Sequence, residues 1–303
     1  MQNIGSGGTA VGTTIFKGGE EQIFSGGTAI NTTVSGGAQV FNSGGSAINT
    51  VVNAGGVVNV LGSILTSATI KSGGTLGVGG LVGGVATSAI VLRGGFELMY
   101  LSGSGGGVVS SGGTFEWQGA GQDTTGVVFR PGAILLVELH VASGDVSSGS
   151  TEKLLVGGTQ SGGAVLSGGV LVVSNGGTAA AVTISRGGKL VVSSGGVESG
   201  ATLSSGGIET VLSGGLASSS TIDSGGTQII SSGGTALGIV RVAGGGRQIV
   251  SGLAELVIVS AGGEQDVSRG GTAEAGALSG GTGKVFPRSI SDFKMYSPLG
   301  QLS

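Results

Sequence analysis

Cysteine is absent from the 303-residue chain and proline occurs only 3 times. Without thiols there is no disulfide framework and no thiolate metal site. The 71 glycines do not recur at every third position, and proline is too scarce for a collagen helix. Aromatic residues make up 4% and charged residues 10% of the chain, with 13 basic and 16 acidic side chains giving a net charge of −3. The basic residues are scattered and form no stripe that could neutralise phosphates. Rings are too few to stack bases, so nucleic acid is not an expected partner. Long apolar runs are missing as well. A membrane helix needs about 18 apolar residues, and the nearest approach, Val127–Val141, is interrupted by Arg130, Pro131 and Glu138. The opening stretch MQNIGSGGTAVGTTIFKGG lacks a charged segment followed by an apolar one, so no export signal is expected in it. With 38% hydrophobic residues spread evenly along the chain, disorder is not expected either.

What the chain has is a clock. Glycine pairs begin at 7, 18, 26, 36, 44 and 55, and again at 168, 176, 187, 195, 206, 214, 225, 233 and 244. The later gaps alternate between 8 and 11, so the repeating unit is 19 residues. From 252 a single glycine or a 10-residue gap replaces the full form, and the rhythm continues to Gly281. Apolar residues keep the same time. Five positions after the first glycine of a short segment stand Ile23, Phe41, Val173, Val192, Val211, Ile230 and Val267. Three before the next pair stand Val52, Ile70, Ile184, Leu203 and Ile222. Tracts this short, rich in Ser, Thr and Val, disfavour helix and read as strands between glycine corners.

A unit of two or three short strands hides its apolar side chains only by stacking on copies of itself. The expected fold is therefore all-β, a parallel β-helix (β-solenoid) of about 19 residues per coil. Four segments are expected: N-terminal repeat coils 1–95, irregular coils or an insertion 96–167, C-terminal repeat coils 168–283, and a non-repeat tail 284–303 read as a linker or disordered. The hexapeptide rhythm of left-handed acyltransferase helices is absent. The calcium-binding nonapeptide also fails, because GGEQDV (Gly262–Val267) lacks its further glycine.

The stretch SSGGIETVLSGGLASSSTIDSGGTQIISSGGTA (Ser204–Ala236) resembles the tandem repeats of AIDA-type autotransporter passengers, the self-associating adhesins of Gram-negative bacteria. The likeness covers Gly7–Leu76 and Gly168–Gly281. It implies a right-handed β-helix at the cell surface or secreted, active in adhesion, autoaggregation and biofilm growth. The partners it implies are an identical passenger on a neighbouring cell or a host receptor, with O-linked heptose on repeat Ser and Thr residues. Members of the family also carry a signal peptide and a translocator barrel. The closing VFPRSISDFKMYSPLGQLS has none of a barrel's alternating segments, so a fragment, a truncated product or a separate export partner is implied.

No catalytic, cofactor or metal site is expected. The alternative is a β-helix enzyme acting on polysaccharide, which would gather carboxylates on one face. Only Glu97 with Glu116 and Glu255 with Glu274 lie 19 apart. The local glycine interval at both is 18 (94 to 112, 252 to 270), so each pair is expected one residue out of register. Glu20 and Glu21 should point to opposite faces. His140, the single histidine, lies in an apolar run and reads as structural. GGTGKV (Gly280–Val285) lacks the spacing of a phosphate loop. The window between Gly113 and Gly157, with Trp117, Pro131 and His140, reads either as a receptor-contacting excursion or as a degenerate coil with extra core. Ile134, Leu136 and Val137, expected to be buried, favour the second reading. On the outside the repeated feature is hydroxyl. Thr69, Thr183, Thr202 and Thr221 each precede an inward apolar residue, and the last three fall in register. They could pair with a second molecule, carry sugar, or simply favour strand and solubility.

Overall fold

The computed structural model describes residues 1–80, 83–100, 102–118, 126–138, 141–142, 144–286 and 289–295. The chain divides into two units, Met1–His140 and Val141–Ser303. Each is a parallel β-solenoid, and no helix occurs among the described residues.

The second unit shows the repeat at its most regular. One coil runs through strand Lys189–Val192, strand Val197–Ser199 and strand Thr202–Leu203 before the next coil begins at Ile208. Glycine pairs make two of the corners, and a single residue with positive φ, Gly200 here and Ser219 in the coil above, makes the third. Lys189 pairs with Ile208, Val197 with Leu216 and Thr202 with Thr221, so all three faces keep the 19-residue register.

The two glycines of a pair are required for different reasons. Gly206 holds φ at +76°, a left-handed backbone that costs an L side chain roughly 1–2 kcal/mol. Gly207 has no such dihedral, but a Cβ there would lie 2.3 Å from the carbonyl oxygen of Ile184 in the coil below. Where a serine precedes the pair, as at Ser194 and Ser205, it belongs to the same stack. A Cβ on Gly225 would meet Ser205 Oγ at 2.7 Å, and one on Gly214 would meet Ser194 Oγ at 2.7 Å.

The expected apolar columns run inside as files. Val173, Val192, Val211, Ile230 and Val267 are fully buried, as are Ile184, Leu203 and Ile222. Ala179, Ala217, Ala236 and Ala254 line the third face, in a column that also holds the buried Gln160 and Glu198. Dispersion in such a file is collective, so trimming one member is felt modestly. Ile222→Val should lower stability by roughly 0.5–1.5 kcal/mol, read from the shift in the urea midpoint.

The first unit follows the same plan with larger occupants. Ile23, Phe41, Val60 and Val78 form one buried file, and Val34, Val52 and Ile70 another. Strand Gly84–Val91 runs across its corner and pairs with Gly103–Val109, with a register shift between Thr87 and Ala89. The described strands that follow Gly113 in the first unit stack on their neighbours. Thr114–Gln118 pairs with Phe96–Met99 on one side and Ile134–Glu138 on the other. Phe115 packs edge-on against Trp117 and Phe129, at 6.1 and 6.0 Å between ring centres. Within Ile134–Glu138 the buried residues are Leu135 and Val137. Ile134 and Leu136, expected inside, are half-exposed because strand alternation turns them outward. His140 lies outside the described residues.

Two further expectations are corrected. Glu255 and Glu274 are register partners, since Gly252 occupies the place of the second glycine of a pair and therefore aligns with Gly271 rather than Gly270. Glu97 and Glu116 are one residue out of register as expected, with Glu97 facing Phe115 and Glu116 facing Leu98. The residues after Lys284, read as a linker, carry a strand: Ile290–Met295 pairs with the Thr272–Ser279 strand, and Thr282–Val285 pairs with Glu264–Val267.

Candidate functional site

The three-coil hydroxyl ladder sits on the shortest strands. Thr183 pairs with Thr202 and Thr202 with Thr221, while Ile184, Leu203 and Ile222 beside them are fully buried. Alternation along a strand turns the threonines to the outside, where each is half-exposed. Successive hydroxyls on such a face are about 4.8 Å apart. Ala164 precedes the ladder and Arg241 follows it. Thr69 occupies the equivalent position in the first unit, between Val51 and Ile90, and is not part of this ladder. The spacing in the sequence did not bring out Thr14 and Thr33, which pair in the same column of the first unit. The signal of Thr33 was masked because the turn after Ser35 is a residue shorter, placing buried Val34 two positions before Gly36, whereas Thr14 keeps the regular spacing, with Ile15 three before Gly18.

The interior holds a polar file that the repeat pattern did not announce. In the long-face strands such as Ile208–Val211 and Thr227–Ile230 the second residue points inward, and in several coils a polar residue there pairs along the stack. Gln265 Nε2 donates to Gln248 Oε1 at 2.6 Å, and Gln248 Nε2 donates to Gln228 Oε1 at 2.7 Å. Gln228 Nε2 in turn donates to Glu209 Oε2 at 2.8 Å and to Ser220 Oγ at 3.2 Å. Ser220 Oγ donates to Glu198 Oε2 at 3.1 Å, and the backbone N–H groups of Ala201 and Ser218 also donate to the Glu198 carboxylate. All of these side chains are buried.

Burial raises the pKa of Glu198, partly offset by those hydrogen bonds. It raises Glu209 well above the ordinary range, and the nearby charge of Glu198 raises it further. The charge of Glu198 disfavours charge on Glu209, so ionising both together is costly. The first unit has a smaller group of the same kind. Glu21 accepts from Gln39 Nε2 at 2.7 Å and from Thr32 Oγ1 at 3.3 Å, and Thr50 Oγ1 donates to Gln39 Oε1 at 3.2 Å. Glu97 and Glu152 are buried too, and desolvation lifts each to about 7.

No protein-family model and no curated protein sequence matches the chain. Among solved structures it is similar to the crystal structure of a TibC-catalyzed hyper-glycosylated fragment of TibA, with 33% sequence identity and a TM-score of 0.62. The match covers 94% of this chain and 99% of that one. Identity at this level over nearly the full length of both chains establishes kinship, and the chain belongs to the AIDA-type autotransporter adhesin passengers, adhesin-type proteins that Gram-negative bacteria expose or secrete.

Proposed function

We propose that this chain is a non-enzymatic adhesin that works by multivalency, holding cells to one another or to a host surface through a repeated outer face. The observation that carries this reading is the in-register ladder Thr183, Thr202 and Thr221. One hydroxyl contact contributes only about 0.5–1.5 kcal/mol, but contacts fixed at one spacing on a stiff scaffold add without a fresh entropic loss for each. The same hydroxyls, with Thr69, are the proposed acceptors for O-linked heptose, a reading supported by the glycosylated state of the TibA fragment. The counterpart is an identical passenger on a neighbouring cell or a host receptor, and the activity includes autoaggregation and biofilm growth. Glu198 and Glu209 meet inside the coil, closed to a sugar chain, and although Glu255 and Glu274 are register partners on an outer-facing position, the kinship with the TibA fragment supports the adhesin reading over a polysaccharide-acting enzyme.

Display of the chain on non-clumping bacteria tests the proposal. The displaying cells should settle faster than cells carrying the empty display system, or bind host cells. Coexpression with a heptosyltransferase should add heptose mass to the chain, and T183A/T202A/T221A should carry fewer additions while remaining folded. If the displayed chain produces no settling and no host-cell binding, the adhesin reading is refuted. An unchanged glycan count in the triple variant would remove this ladder as the acceptor.

A further inference from the structure

The buried group around Gln228 contains more than a structural network needs. A hydroxyl, Ser220 Oγ, donates to the carboxylate of Glu198 at 3.1 Å and touches the Gln228 carboxamide, 3.2 Å from Nε2. The carboxamide oxygen accepts from Gln248 Nε2 at 2.7 Å. Its nitrogen lies 2.8 Å from the carboxyl of Glu209, whose other oxygen has no hydrogen-bond partner. Ser220, Glu209, Gln228 and Gln248 are fully buried and Glu198 nearly so. A nucleophile, a base, an electrophile with a donor on its oxygen, and an acid at the leaving nitrogen thus converge in a space closed to water.

We propose that Ser220 and Gln228 close into an intramolecular ester, with Glu198 as base and Glu209 as acid. Glu198 takes the Ser220 hydroxyl proton as Oγ forms a bond to Gln228 Cδ. The negative charge that develops on Oε1 is held by the Gln248 amide N–H. The nitrogen of the tetrahedral intermediate, no longer an amide, takes the proton of Glu209. The C–N bond then breaks, ammonia leaves, and the proton held by Glu198 passes to Glu209 across the contact between the two carboxyls. The process is redox-neutral and needs no co-reactant. Ser220 Oγ accepts from Gln228 Nε2 at 3.2 Å, so a turn about its Cα–Cβ bond must bring it over the face of Gln228 Cδ before the bond forms, and the dry interior keeps the product from hydrolysis. Burial of Glu209, with the neighbouring Glu198 charge, favours its protonated form. The group at Glu21, Thr32 and Gln39 has a hydroxyl and an amide but a single carboxylate, and is assigned no such step.

The link would tie the third corner of one coil to the long strand that follows, and mass reports it directly. The purified, folded full chain should be lighter than its sequence by one ammonia. Asp223 stands between the two residues, so cleavage before aspartate should leave the segments on either side of Asp223 joined, and hydroxylamine should part them. Ser220→Ala should restore the sequence mass with unchanged β-sheet circular dichroism. Ser220→Thr, which keeps the hydroxyl, should retain the loss, so a folding defect in one variant leaves the other informative. A folded chain at its sequence mass would overturn the proposal. So would a lost ammonia that maps to the Asn175–Gly176 bond while the segments beside Asp223 separate.

Discussion

Gly207→Ala should destabilise the C-terminal unit by roughly 3 kcal/mol or more, since overpacking against a fixed neighbour costs about 1–3 kcal/mol and occasionally more. The added methyl would meet the Ile184 carbonyl oxygen at 2.3 Å and its carbon at 3.0 Å. Both are backbone atoms of the coil beneath, and that coil cannot retreat without giving up its own ladder bonds. The neighbouring Gly206→Ala has the left-handed dihedral, yet its new methyl meets the flexible Arg186 side chain at 3.0 Å. Its cost should stay near the roughly 1–2 kcal/mol of the dihedral alone. The residue with the ordinary backbone is therefore the more sensitive one. Urea unfolding of the two variants side by side checks the order, and equal or reversed losses would mean that coils are not held at the spacing described. Because each coil contacts only its neighbours, the damage should be greatest around residues 184–226 rather than uniform, which hydrogen exchange resolves.

The architecture was legible because the glycine pairs and the apolar columns shared one period, and a 19-residue spacing between Val192, Val211 and Ile230 has few physical solutions other than a stack. The hydroxyl ladder followed from the same arithmetic. Legibility failed wherever one residue was gained or lost. The turn after Ser35 is short by one, which hid Thr33, and the single glycine at 252 was aligned with the wrong member of its pair, which put Glu255 and Glu274 out of step. Ile134 and Leu136 were placed inside because an apolar run carries no mark of which alternate positions face inward. The polar interior was hidden for a different reason. Glutamine and glutamate at the second strand position read as solvent-facing by type, and only the stacked register reveals that Gln228, Gln248 and Gln265 satisfy one another amide to amide. A position's place in the repeat, rather than its polarity, decides its face.

The buried carboxyls should make this fold more stable in mild acid than in mild base, the reverse of a protein held by exposed ion pairs. Burial raises Glu97 and Glu152 from the ordinary 4.5 to about 7 in the folded state. A group that binds its proton more tightly when folded stabilises fully below its unfolded pKa, and that contribution fades as pH rises through the folded value. A tenfold gain in proton affinity corresponds to about 1.36 kcal/mol, so each glutamate should withdraw roughly 3 kcal/mol between about pH 4.5 and pH 8. Glu198 and Glu209, both raised, act in the same direction. Thermal unfolding followed from about pH 5 to pH 8 should show a midpoint that falls most steeply below about pH 7 and levels off above it. Glu97→Gln, which keeps the shape and removes the titration, should raise the midpoint at the basic end of that range and leave it nearly unchanged at the acidic end. Glu97 lies in the first unit and Glu152 in the second, so each glutamine variant should protect its own unit, visible as slower exchange there alone. A midpoint that climbs with pH across the same range in the parent chain would show that these carboxyls reach water and ionise freely, and the dry interior that both the pH response and the ester depend on would be lost with it.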